Sequence, residues 1–280
     1  MVPMGNEYFG SWYLVLWRRN KYNENAALIY QFVKRDVLAR YRGSMLGIGW
    51  AVFNPLMMLA LYTFAFAGVL KTRWPGAEEM GGPGYAINLF AGLIIFNLFS
   101  EVASRSSGLI VQNANLVKKV VFPLFIFSWV AVLSSMVQLF FGFLMLILAV
   151  SFYSGVFHIS IISFPLIILA FVPFLLGLCW FLSSVGVYVR DLGQIMVLLI
   201  NLSLFLSPIF YPASALPEYI GDLMWMNPLT LIIEQTRLAL IDGAWPNWKL
   251  LLIYVTVSSG FALAGYAWFQ RARKGFADVL

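Results

Sequence analysis

Between Val120 and Val189 the chain runs 70 residues without a single Asp, Glu, Lys or Arg. At ~1.5 Å per residue, a helix of that length would cross the ~30 Å hydrocarbon layer of a bilayer more than once. The centre of the run is polar and turn-prone: Ser151, Ser154, Gly155, His158, Ser160 and Ser163, then Pro165. That centre divides the run into two membrane spans. The rest of the chain must accommodate them, so the expected fold class is an all-α integral membrane protein.

Other apolar stretches fit this reading. Gly43 to Leu70 carries no charge, enough for one tilted span, and Met80–Ser100 starts another that continues past Glu101 and Arg105. The predicted spans are six: about 44–70, 84–111, 122–150, 164–189, 192–211 and 250–270. An outer segment covers 212–248, an N-terminal tail 1–25, an amphipathic helix 26–43 and a C-terminal tail 271–280. Only 11% of the 280 residues are charged and 61% are hydrophobic, whereas about 25% are charged in an ordinary soluble domain. The net charge of +6 therefore points to topology and anionic lipid rather than to nucleic acid.

Orientation follows from where the basic residues fall. With the N-terminus inside, the inner segments hold 13 Lys and Arg residues and the outer segments four, with Arg105 left inside a helix. Both termini are expected in the cytoplasm. The first residues lack a basic region followed by an apolar one, so no cleaved signal peptide is expected. The lone Cys179 permits no intrachain disulfide and no cysteine metal cluster, and the single His158 builds no catalytic triad. No metal centre and no catalytic residue are expected.

Several segments are neither span nor simple loop. In 26–42, Lys34, Arg35, Gln31 and Arg42 share one side of a helix, and Ile29, Phe32, Val33 and Val37 the other. Such a helix lies in the inner interface with its bases toward headgroups. Asp36 and Arg40 break the pattern, since they fall i,i+4 in the middle of the apolar side. They form either a local ion pair or a patch that faces protein. The inner loop "QNANLVKKVVFP" places Asn113 and Asn115 before Lys118 and Lys119, a topology signal or a docking element. Glu101 and Arg105 are an i,i+4 pair within span two, read as mutually neutralising or as functional.

Asn54-Pro55 predicts a kink in span one, and Gly43, Gly47 and Gly49 an elbow before it. "PLTLIIEQTRLALI" carries Glu234 and Arg237; it is too short and charged to cross, yet too apolar for a free loop. Two short re-entrant helices before the last span, bordering a conduit mouth, fit it best. No G-x-x-x-x-G-K-[ST] motif occurs, so this chain has no P-loop for ATP. Neither a proton-relay array of acids nor matched broken helices are present, which disfavours a secondary transporter. Energy for transport would have to come from a partner.

Four pieces of text, in order, carry a family resemblance: "RDVLARYRGSMLGIGWAVFNPLMMLALYTFAF", "NLVKKVVFP", "VYVRDLGQI" and "SPIFYPASALP…NPLTLIIEQTR". Over residues 26–270 the chain resembles the permease subunits of type-2 ABC exporters for polysaccharides, which include O-antigen, capsule and teichoic-acid exporters. The resemblance implies a homodimer of six-span permeases in the inner membrane. Two copies of a separate ATPase would bind ATP and Mg, leaving this chain without an enzymatic site or cofactor of its own. The cargo would be a polyprenyl-pyrophosphate-linked glycan, most closely O-antigen on the span-one text. It further implies ATPase coupling through Asp36, Arg40, Arg42, Asn113, Asn115, Lys118 and Lys119, and an outer gate at Glu234 and Arg237. Spans one and five would enclose the path. There Trp50, Tyr62, Phe66, Phe205 and Phe210 are candidates for sugar contact, or else ordinary lipid-facing and core aromatics. Within the same superfamily a small-lipid or drug permease is the alternative, and outside it a channel or scaffold subunit.

Overall fold

The computed structural model describes residues 8–71, 74, 83–119, 122–155, 157–213, 217, 221 and 224–280. The described regular elements are all helical. Helix α1, Tyr8–Tyr41, is a single rod of 34 residues. It begins well before the expected start at Ala26, because no proline interrupts it, and it stops where Gly43 turns the chain at φ +83°. A left-handed turn of this kind favours glycine, and Gly47 repeats it at φ +52°. The expected elbow is therefore two left-handed glycine turns.

Span one follows as a short 3-10 turn, then α2 (Trp50–Tyr62, with Pro55 inside), then a π-helical turn over Thr63–Val69. Helix α3 is Pro83–Ser106, α4 the six-residue Ala114–Lys119, α5 Ile126–Ser154 and α6 Phe164–Tyr188. Gly155 at φ +68° ends α5, its N–H donating to the Ser151 carbonyl. Then come α7 (Leu192–Phe205), α8 (Pro228–Leu240), α9 (Trp248–Ala272) and the short C-terminal α10 (Phe276–Val279).

Five helical stretches are long and apolar enough to cross a membrane: Gly47–Val69, Pro83–Ser106, Ile126–Ser154, Ile159–Tyr188 and Trp248–Val279. The expected fifth span at 192–211 is instead the shorter α7, 14 residues long. That is only ~21 Å of helix against ~30 Å of hydrocarbon. Hydropathy continues through Ile209 and Phe210, but Pro208 biases Ser207 away from helical backbone and stops the element. The described residues thus hold five such helices where the sequence suggests six.

Helix α3 is the centre of the molecule, with 83% of its apolar window buried, while span one shows 6% and the last span 17%. Around α3 pack α5, α6, α7 and α8, with α1 laid against α5 and α9 against α6. Lipid is as apolar as leucine, so these contacts rest on close packing rather than on leaving water. At the α6–α9 crossing the packing is backbone to backbone. A Cβ at Gly265 would lie 2.5 Å from the Gly177 carbonyl oxygen, and one at Gly177 would lie 2.8 Å from the Ala262 Cα.

Candidate functional site

The side of α1 that turns toward protein carries Phe32, Val33, Asp36 and Val37 at least partly buried. Phe32 seats the helix, its ring 5.5 Å from Phe122 and 6.0 Å from Phe127, with the Arg35 guanidinium carbon 4.5 Å from its ring centre. One turn on, charge takes over from packing. Both oxygens of Asp36 accept from Arg105 Nη2 at 2.8 Å. Arg40 donates to Glu101 Oε1, and Arg105 Nη1 lies 3.6 Å from the same carboxylate.

The two i,i+4 pairs of the sequence are therefore cross-joined. Each residue of Asp36/Arg40 on α1 binds the opposite charge of Glu101/Arg105 on α3. Burial alone would lower the Arg40 pKa, but the hydrogen bond and charge of Glu101, with Asp36 behind it, hold it above its ordinary value. Charge-assisted bonds of this kind are the strong ones, and the four groups together neutralise one another where α1 meets α3. Arg105 Nη1 also donates to Ser134 Oγ at 2.9 Å, and Tyr41 Oη donates to Gln138 Oε1 at 2.9 Å, so α5 joins the clamp.

The remaining expected coupling residues are spread around this clamp. Arg42 is exposed just past the end of α1. Asn113 is half-buried and turns its amide back to the Leu109 carbonyl at 2.8 Å, which fixes the turn, whereas Asn115 is exposed. The side chains of Lys118 and Lys119 lie outside the described residues. The C-terminal helix α10 packs on α4. Its Phe276 is fully buried, 5.7 Å from the Phe269 ring, and Tyr188 Oη donates to the Ala272 carbonyl nearby.

On the opposite side, Asn227 caps α8 by accepting from the Leu229 N–H at 2.9 Å. Its amide donates to the Leu206 carbonyl and Ser207 Oγ, which ties α8 to the end of α7. Arg237 is 3% exposed, and every branch of its guanidinium is occupied. It donates to the Asn88 carbonyl (3.1 Å), the Ile209 carbonyl (3.0 Å) and Glu234 (3.1 Å), with its guanidinium carbon 4.5 Å from the Trp74 ring centre. Glu234 and Arg237 thus hold α8 to α3 and to the chain after α7. The first of the two expected short helices, from Pro217, falls largely outside the described residues.

The five expected path aromatics are not gathered at one place. Phe66 stacks on Tyr85 at 4.7 Å, and Tyr85 Oη donates to the Phe210 carbonyl at 2.7 Å, which brings Phe66 and Phe210 together. Phe205 stacks on Phe210 at 5.7 Å. Trp50 stands apart against Phe53, and Tyr62 lines a different space, a cavity of about 460 Å³ between α2, α3 and α5. Asn54, Asn97, Glu101, Ser135 and Gln138 line that cavity as well.

Sequence reasoning did not single out Asn97, Ser134 or Gln138. A signal was there: Asn97, Glu101 and Arg105 are spaced by four, as are Ser134 and Gln138, so each set forms a polar stripe on one helical face.

Compared with known proteins, residues 27–241 match the family model described as ABC-2 type transporter. The chain is 27% identical over 258 residues to an O-antigen export system permease protein RfbA of Klebsiella pneumoniae, covering 90% of this chain and 95% of the relative. It is 26% identical to the protein of the same name from Myxococcus xanthus, with the same coverage. It is 24% identical over 239 residues to the polysialic acid transport protein KpsM of Escherichia coli, covering 82% and 89%.

Proposed function

This chain belongs to the ABC-2 type transporter family of membrane proteins, and on that premise we propose that it is the permease of an ATP-driven polysaccharide exporter. Two copies form the conduit in the inner membrane, and two copies of a separate ATPase drive it. The cargo is a lipid-linked glycan, O-antigen in the first place, in keeping with the names of its relatives in Klebsiella and Myxococcus. In this reading α7 and the chain to Tyr211 together make the fifth of six crossings. Both termini lie inside, and α8 is one of two re-entrant helices at the outer mouth.

The observation that carries the mechanism is the cross-joined clamp. A cytoplasmic ATPase can reach α1 and the α4 loop, but work must arrive at a span. Asp36 and Arg40 are bound to Arg105 and Glu101 on α3, the most buried of the five long apolar helices. Closure of the ATPases on ATP pushes α1, the clamp passes that push to α3, and the glycine elbow lets span one swing separately. The lipid-linked glycan then enters from the inner leaflet and is extruded. Arg42 and Asn115, both exposed, contact the ATPase or the pyrophosphate of the cargo, a role the sequence also gives Lys118 and Lys119, whereas Asn113 positions the loop.

The test is deletion followed by complementation. Loss of the chain should leave the cell surface undecorated and lipid-linked polysaccharide trapped inside. The purified chain should carry an ATPase whose turnover rises with lipid-linked glycan. Surface glycan unchanged by deletion, with turnover raised by a small lipid or drug instead, would replace this reading with the small-lipid permease. Purification without any ATPase would replace it with a channel or scaffold.

A further inference from the structure

We propose that the cavity between α2, α3 and α5 is a polar-ligand site inside a single protomer, and that it takes a neutral sugar unit of the exported glycan. The proposal deepens the reading above and rests on it for the identity of the cargo.

Three amide side chains, each from a different helix, meet at this cavity: Asn54, Asn97 and Gln138. From Ala86 to Leu98, α3 is buried except at Asn97, which is exposed to the cavity. Among the described residues, no hydrogen bond engages the Asn54 or Asn97 side-chain amides, and Gln138 has only its carbonyl oxygen taken, by Tyr41. A primary amide left unpaired in hydrocarbon is costly. Two unpaired amides and the free NH2 group of a third around one space of about 460 Å³ favour polar contents.

Three features favour a sugar as those contents. The space, about 460 Å³, is large enough for a sugar ring. Amides donate and accept at once, which matches a hydroxyl that does the same. Tyr62 adds an aromatic wall for the apolar face of a ring. Phosphate is disfavoured, because the guanidinium groups nearest the cavity, Arg40 and Arg105, are engaged by Glu101 and Asp36. Glu101 itself forms part of the cavity wall, in position to accept from a hydroxyl.

The experiment uses the full chain with its ATPase in liposomes, carrying Ser100→Cys, a cavity-lining position that leaves the three amides in place. Cys179 is fully buried, so the unsubstituted chain provides the unreactive blank. A water-soluble maleimide is applied alone, with the host glycan freed from its lipid by mild acid, with dextran, or with inorganic pyrophosphate. Expected is labelling that the host glycan slows several-fold and that the other two leave unchanged. In parallel, Asn97→Leu should lose most of the ATPase stimulation by lipid-linked glycan while the complex still assembles, and Asn97→Gln should recover part of it.

Labelling that the glycan does not slow would overturn the proposal in favour of a water-filled cavity, and protection by pyrophosphate in favour of an anion site. Absence of labelling would overturn it as well, the space then being closed to any polar ligand. Stimulation of the unsubstituted complex separates the two readings. If lipid-linked glycan raises turnover but does not protect Ser100→Cys, this site alone is wrong; if it never raises turnover, the transport reading falls as well.

Discussion

Asp36 and Arg40 sit one turn apart on α1, close enough to pair with each other, yet each is bound to a residue of α3. Removing one charge leaves its partner unmatched in the partly buried clamp. Asp36→Asn or Arg105→Gln should therefore lower glycan-stimulated ATPase turnover by roughly tenfold, the equivalent of about 1.4 kcal/mol. The exchanged pair Asp36→Arg with Arg105→Asp should recover part of it. A double-mutant cycle on turnover measures the coupling, and additive losses would mean that the contact transmits nothing. At Arg237, the fork that holds two carbonyls and Glu234 has no replacement in lysine. Arg237→Ala should lower the unfolding midpoint in detergent, at a cost of about 3 kcal/mol, and Arg237→Lys should restore little. The residue types of both clusters were legible in the sequence, because charge in an apolar helix stands out. Their partners were not, since spacing orders residues along one helix and is silent about which helices meet.

Among the elements, the ends marked by glycine and proline were the readable ones. Gly43 and Gly155 stop α1 and α5 with left-handed backbone, and Asn227-Pro228 starts α8. The end of α7 was less visible, since apolar residues continue beyond it and hide a stop made by Ser207-Pro208. The start of α1 was missed for the opposite reason: the sequence before Ala26 has no periodic apolar face to mark it, and the helix persists for want of a breaker. The α6–α9 seam was equally unreadable, because Gly177 and Gly265 are 88 positions apart and only the fold shows them touching. Gly265→Val should force the helices apart, overpacking of this kind costing about 1–3 kcal/mol. The check is the yield of monodisperse protein from membranes; Gly260→Val, where a Cβ meets nothing within 4 Å, is the control.

At the scale of the whole molecule, burial is uneven in a way that hydropathy alone could not show. Span one and α7 read as apolar as α3, yet Met57 is 51% exposed and Leu198 61%. A pair of copies joined along these faces predicts that single cysteines at Met57 and Leu198 cross-link between protomers, read as a doubled mass on non-reducing gels. Cysteines at Leu252, on the α9 face, should give monomer only. Glu101, finally, belongs to two places at once: it holds Arg40 of α1 and forms part of the wall of the α2–α3–α5 cavity. A hydroxyl that bonds to this carboxylate competes with Arg40 for it, and withdrawal of α1 frees it. Thermodynamic reciprocity then requires that occupancy of the cavity alter the hold on α1 by the same factor by which displacement of α1 alters affinity in the cavity. With a sugar in the cavity as proposed, filling and pulling become two handles on one equilibrium, and cargo would be registered without a separate sensor.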